Sequence, residues 1–299
     1  MPAVRHLIPC VSLLFILLSA SCDGAELSAE DLAHVHLKRV HLYSGWEFDY
    51  KSTLVAADGK SIGRQNVFVL DANDETIHRL FIANREKRDE SDLADPLLLQ
   101  RFAGWNGKEY REYERKESLK GPRLQGLIYA NERASYAYHQ NRFDTILTSG
   151  PHGIPQYADV RGKFLDKHPF KFRVVGRGER LGVPTLQLEA KIGNEMLAEA
   201  ELSDTSEHLV LRQLIYHDNQ PVLKCEVTSL GRFEGTLFPK SGRLVQEQVG
   251  DIGSLDYRFE VENVSKTART TDDWFPKWPP GTGVIDHTNG ALQSVVPRE

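Results

Sequence analysis

The sequence predicts a mainly β protein, an antiparallel sandwich or barrel with few helices, and three observations predict it. Runs of alternating apolar and polar residues recur at roughly 8–12-residue spacing along most of the chain. Turn residues fall between the runs. The intervals are too short for the crossover helices that a parallel sheet requires. With 299 residues and 40% hydrophobic content, the chain is long enough to bury a core of its own.

The elements follow in order. Residues 1–21 read as a signal peptide: Arg5 gives a basic start, Val11–Leu18 is a short apolar core, and Ser19-Ala20-Ser21-Cys22 gives a small-residue exit. That exit resembles a lipobox, in which Cys22 is lipidated and becomes the mature N-terminus, although Ser19 stands where Leu is usual. Several acyl chains on Cys22 suffice for stable membrane anchoring. The rival is plain secretion after Ala20 or Ala25, and Asp23 disfavours the second site. Residues 22–44 form a linker and a helix. Ser28 caps it with Glu30 and Asp31 in its first turn, and Leu32, Val35, Val40 and Tyr43 form an apolar stripe over about 29–43.

At Trp46 the period changes to two. Trp46, Phe48 and Tyr50 alternate with Glu47, Asp49 and Lys51 in a half-buried strand that ends at Asp58-Gly59. Further strands are read at 66–70, 77–83, 97–105, 108–116 and 125–130, with Asn106-Gly107 as the strongest hairpin signal. A mid-chain helix is read over about 133–149 through Tyr136, Tyr138, Phe143, Ile146 and Leu147. Strands resume at 170–175, 183–190, 198–202, 209–216, 223–229, 231–238, 244–249 and 255–261, with Pro239–Gly242 among their breaks. One β domain thus covers 45–290, and 291–299 is a loose tail.

Charge and cysteine content narrow the function. The formal net charge is −5 with both signs interspersed, which gives no reason to expect a nucleic-acid partner. Of three cysteines, Cys10 leaves with the signal and Cys22 is lipidated, which strands Cys225. Plain secretion after Ala20 instead permits a Cys22–Cys225 bridge.

Candidate chemistry is sparse. His34, His36 and His41 cluster, yet no carboxylate or Cys completes a metal set beside them, and on a helix residues two apart do not share a face. Gly176–Gly182 is one residue too long for a dinucleotide fingerprint and sits between strands, so a glycine-rich hairpin is expected. Ser149, His152 and Asp159 hold the residue types of a hydrolytic triad without a nucleophile-elbow motif. Asp286-His287 and His217-Asp218 are adjacent pairs near turns. Asn263-Val264-Ser265 fits a glycosylation pattern, which a bacterial lipobox makes irrelevant. Trp274, Phe275 and Trp278 among prolines read as a plug over a sheet edge rather than an exposed binding surface. No catalytic residue, metal site or cofactor is expected.

The order of short signatures resembles a family. Phe102-Ala-Gly-Trp-Asn-Gly107, Val175–Gly182, Arg232-Phe-Glu-Gly-Thr-Leu-Phe-Pro239 and Trp274–Asp286 follow the signal and the strand at Trp46. Over about residues 30–290 this resembles the LolA/LolB/LppX group of bacterial envelope proteins that sort lipoproteins and carry lipids. The resemblance implies an open half-barrel: a strongly curved antiparallel sheet, with the N-terminal and mid-chain helices packed on its concave face. It implies an apolar cavity for acyl chains between them. No residue matches a cargo-handling position, so none is carried over.

Three functional readings follow. The first is a non-enzymatic protein of the periplasm or cell envelope, held to the membrane through Cys22, that binds an apolar ligand such as lipid or lipoprotein acyl chains. The second is an envelope scaffold or protein-interaction module with a filled core. The third is a secreted hydrolase built on Ser149, His152 and Asp159.

Overall fold

The computed structural model describes residues 26–27, 38–56, 59, 61–72, 77–85, 99–105, 109–116, 121, 123–129, 142–148, 172–217, 219–247, 254–267, 278–288 and 292–295. The signal segment with Cys22 lies outside them.

The short strand β1 (Glu26–Leu27) precedes two antiparallel meanders. The first runs through β2 (Trp46–Ala56), β3 (Ser61–Ala72), β4 (Ile77–Arg85), β5 (Leu99–Trp105), β6 (Tyr110–Lys116) and β7 (Arg123–Tyr129). The second runs through β8 (Phe172–Arg180), β9 (Val183–Ile192), β10 (Glu195–Ser203), β11 (Val210–His217), β12 (Gln220–Phe233), β13 (Thr236–Gln246) and β14 (Leu255–Lys266). Two strands, β15 (Gly283–Asp286) and β16 (Leu292–Val295), finish the chain.

All sixteen belong to one sheet, because β14 pairs with β2 from Leu255↔Ala56 to Lys266↔Trp46 and joins the meanders. The sheet is curved and unclosed, with β1 at one end and β16 at the other. Its one parallel pairing among the described residues is β15 beside β7, so the C-terminal stretch extends the sheet at what would be a bare edge. Residues 292–295, inside the stretch read as a tail, pair with β15.

Among the described residues helix is confined to two short pieces. Of the first helix the described part is 38–42 (α1), and of the second it is Arg142–Thr148 (α2). Both meet the apolar face of the central strands. Val40 and Tyr43 at the end of α1, and Phe143, Ile146 and Leu147 of α2, share one buried cluster with Trp46, Phe48, Phe68, Val227, Phe238, Phe259 and Val261. A second cluster, Phe172, Leu186, Leu188, Ala190, Ala198, Ala200 and Leu202, lines β8–β10. Alternation explains both, since every second residue of β9 from Leu186 to Ala190 turns inward.

Across β10–β14 the opposite face is charged, whereas across β3–β6 it carries buried apolar clusters of its own, Val69 with Leu80 and Phe102 with Tyr113. Register sets Glu201, Arg212, Glu226, Arg243 and Arg258 side by side across β10 to β14. Arg212 pairs with Glu201 at 3.2 Å, Arg180 bridges Glu201 and Glu226, and Asp256 takes both Arg243 (2.7 Å) and Arg258 (3.0 Å). The guanidinium of Arg243, with that of Arg258 adding to it against the effect of burial, holds the Asp256 carboxyl down at about 2. Each exposed pair contributes only about 0–1 kcal/mol. Their larger effect is on register: a one-residue slip would turn this row toward the apolar core.

The strand boundaries from 220 to 246 correct the sequence reading. Three strands were expected there, with a break at Pro239–Gly242, whereas two long ones form. The turn is Glu234-Gly235, both at positive φ (49° and 83°), the geometry of a tight right-twisted hairpin. Pro239 is tolerated inside β13 because it pairs with Leu230 at a register shift, where a ladder hydrogen bond is already interrupted. Gly242 marks a close approach, not a turn. It lies opposite Phe259, and a methyl group there would stand 2.7 Å from that ring and 2.8 Å from the Glu226 carbonyl oxygen. Gly231 is covered in the same way by its cross-strand partner Phe238. Ring-covered glycines and register shifts in β8, β10, β11, β12 and β14 supply the bends of the sheet.

Gly242→Ala is therefore expected to destabilise the protein by about 1–3 kcal/mol through overpacking, measured as a lower urea midpoint.

Candidate functional site

The richest polar constellation among the described residues is buried where α1 meets the β10–β11 connection and the start of β13. Tyr43 donates its hydroxyl to the Leu237 carbonyl at 2.7 Å, and the Leu237 N–H donates to Glu207 Oε1 at 3.0 Å. Both backbone groups of Leu237 are thus satisfied by side chains from distant parts of the chain. Ser203 shapes the connection: its Oγ accepts the Leu209 N–H at 2.7 Å, and its N–H donates to the Leu209 carbonyl at 2.8 Å. His208 takes φ 49° within this loop.

Arg39 sits one helical turn before Tyr43, whose N–H donates to the Arg39 carbonyl. The Arg39 side chain is 0% exposed, and none of its Nε, Nη1 and Nη2 atoms has a hydrogen-bond partner among the described residues. Burial pulls its pKa from the usual value down to about 10. His208 Nδ1, in the same cluster, is also buried with no partner among them. Burial lowers His208 as well, with the positive charges of Lys38 and Arg39 adding to the effect. Burial alone would raise Glu207, but hydrogen bonds from Leu237 N–H, Thr205, its own N–H and Ser206 hold it below the usual carboxylate range. Desolvation pushes the Tyr43 phenol upward, so it stays a neutral donor.

Beside this cluster lies an aromatic stack. The Phe143 ring of α2 stacks on Tyr50 at 4.4 Å and meets Phe259, Phe48 and Phe68 edge-on at 5.2, 5.4 and 6.0 Å. All five rings are buried, so the stack is part of the packed core.

The residues singled out from sequence separate as follows. Cys22, His34, His36, Ser149, His152, Asp159, Trp274 and Phe275 lie outside the described residues, and His41 is exposed on α1. Gly176–Gly182 is the β8–β9 hairpin, as expected, turning at Leu181-Gly182. Cys225 is a free buried thiol in β12, pushed up to about 12 by burial, which makes it a poor nucleophile. Asn263 lies within β14 and donates to Asp49. Asp286 accepts from the Thr288 N–H and hydroxyl, while the His287 ring stacks on Tyr129 at 4.8 Å, so the two form a turn and not an acid–base pair. His217 ends β11, exposed. Trp278 packs on Phe102 at 5.1 Å and covers Gly126, as a plug over the sheet does.

A depression of about 260 Å³ over β8–β11 is lined by Gln187, Glu189, Glu199, Glu201, Arg212 and Leu214, among others. Its acids are committed to Lys191, Tyr216, Arg180 and Arg212, and no group of three metal-binding side chains exists among the described residues. This wall belongs to the charged face of the sheet. Sequence reading missed Arg39, Glu207 and His208. One signal was available for the first: Arg39 lies four residues before Tyr43, on the apolar side of the predicted helix.

No protein-family model matches the chain and no curated protein matches it. Among solved structures, it is similar to a DUF1329 family protein from Desulfovibrio piger, at 12% identity and TM-score 0.42, covering 82% of this chain and 97% of that one. It is similar to a LolA superfamily protein from Nitrosomonas europaea, at 6% identity and TM-score 0.44, with the same two coverages of 82% and 97%. It is also similar to MucB, at 10% identity and TM-score 0.30, covering 83% of this chain and 64% of that one. The structural neighbours thus include the group that the sequence resembles.

Two outcomes follow from the buried cluster. Tyr43→Phe leaves the Leu237 carbonyl unsatisfied and is expected to cost about 1–3 kcal/mol in urea unfolding. His208 is lowered in the folded state, so the unfolded chain binds the extra proton, and stability falls as pH drops through about 6.5 toward the folded value. His208→Asn, which tolerates the positive φ, is expected to flatten that part of a melting-temperature profile.

Proposed function

We propose that this chain is an exported cell-envelope protein, anchored through a lipidated Cys22, whose curved sheet binds the acyl chains of a lipid or lipoprotein. Helices on the concave face, α1 and α2 among them, form the other wall of the binding space. The observation that carries the reading is an unclosed sheet with one broad apolar face that runs through both meanders and meets α1 and α2, backed by a charged face across β10–β14. The N-terminal segment and the family resemblance of the sequence point the same way. Binding needs no covalent step: each methylene removed from water contributes about 0.8 kcal/mol.

One observation favours the scaffold reading. Phe143 is 0% exposed and fills the space over Tyr50 and Phe48 with the chain's own aromatic ring. On that reading the core is full and the partner is a protein.

Native mass spectrometry with organic extraction, on the protein from Asp23 onward expressed in a bacterial envelope, tests the choice. Adducts of fatty-acid or phospholipid mass that leave on denaturation are expected. A clean ligand-free mass after gentle purification would reject the lipid reading in favour of the scaffold. Separately, Cys22→Ser in the full chain is expected to move the protein from the membrane to the soluble fraction and to abolish incorporation of labelled fatty acid.

A further inference from the structure

Arg39 is the least explained residue of the described structure. A guanidinium carries five N–H donors and keeps its charge at neutral pH. Burying one without partners costs several kcal/mol, and natural proteins pair such groups almost without exception. Here the side chain is fully buried beside Val40 and Tyr43, and none of its three nitrogens has a partner among the described residues. The buried acid of the cluster is committed elsewhere: Glu207 accepts from the Leu237 N–H, Thr205 and Ser206. The Tyr43 hydroxyl is spent on the Leu237 carbonyl. Packing alone would be met by Leu or Met at no electrostatic cost, so packing does not account for an arginine. His208 Nδ1 is a fourth buried unpartnered nitrogen in the same cluster, and its ring feels the Arg39 charge.

We propose that Arg39 is the anchor of an internal oxyanion site that takes the acidic head of a single-chain amphiphile, the tail lying along the apolar face. The inference rests on the apolar-ligand reading above and sharpens it from any acyl chain to one with an anionic head. A carboxylate or phosphate matches the planar fork of a guanidinium, and in a dry setting the charge-assisted pair is strong. The aromatic stack of Phe143 and Tyr50 belongs to the same buried cluster as Val40 and Tyr43, so the apolar wall is continuous with the polar end.

The test uses the full chain with parinaric acid, a fluorescent fatty acid, and its uncharged methyl ester. The wild type is expected to bind the acid about tenfold or more tightly than the ester. Arg39→Met is expected to bring the acid to the affinity of the ester while leaving the ester unchanged. Arg39→Lys, which keeps the charge and loses the fork, is expected to lie between them. Equal affinity for acid and ester in the wild type overturns the proposal while leaving acyl binding intact. Equal weakening of both probes by Arg39→Met also overturns it, because Arg39 would then be structural. Absence of binding to either probe removes the apolar-ligand reading and this inference with it. If Arg39→Met does not fold, the wild-type comparison of acid with ester decides alone. Displacement of the probe by oleate or by lysophosphatidate identifies a carboxylate or a phosphate head. Displacement by inorganic phosphate would show a free-anion site and overturn the amphiphile.

Discussion

The pairing of β14 with β2 is the constraint on which the rest of the structure depends. Each meander is built from local hairpins and needs only its own turns. The long antiparallel ladder between residues 46–56 and 255–266 joins strands about 200 positions apart in the chain and turns two sheets into one. It places Trp46 against Phe233 and Phe238, Phe48 against Phe238, and α2 against strands from both halves. It also carries the end of α1 to the start of β13, so that Tyr43 reaches Leu237 across 194 positions of sequence. Contacts so distant are slow to form and cost closure entropy, which the aromatic core of the joint offsets.

From that joint the sheet extends both ways, and one face carries the main apolar core throughout. The other carries Glu201, Arg212, Glu226, Arg243 and Arg258 in register across β10–β14, and the buried pairs Val69–Leu80 and Phe102–Tyr113 in the first meander. The charged row contributes little net stability, but it fixes which face turns to water. Curvature comes from backbone irregularities: bulged register and glycines roofed by a neighbour's ring. A curved sheet with a broad apolar face suits the enclosure of hydrocarbon. The buried Arg39 does not belong to a simple core, and this exception gives the apolar face a chemical direction.

Much of the local structure was legible. The alternation at Trp46, Phe48 and Tyr50 marked β2, and the glycine-rich stretch at 176–182 was a hairpin for the reason that its residues implied. The stretch 220–246 was misread because Pro239 and Gly242 carry turn chemistry but serve as a bulge partner and a ring contact inside a strand. Such uses depend on Leu230 and Phe259 in neighbouring strands, which no local window contains. The joining of β2 and β14 was invisible for the same reason. So was the buried cluster: Glu207 and His208 lie in a polar loop that reads as solvent-facing, and only the arrival of α1 and β13 buries them.

The central claim, that the apolar face of the open sheet receives hydrocarbon, is tested most directly by photo-crosslinking. A fatty acid with a diazirine near its methyl end, irradiated with the protein and mapped by peptide mass spectrometry, reports where the tail lies. The account predicts labels on the apolar-face clusters, at residues such as Leu186, Leu188, Phe143 and Phe259, suppressed by excess unlabelled fatty acid. Labels confined to the charged face around Glu226 and Arg243, or labels that excess fatty acid does not suppress, would contradict it.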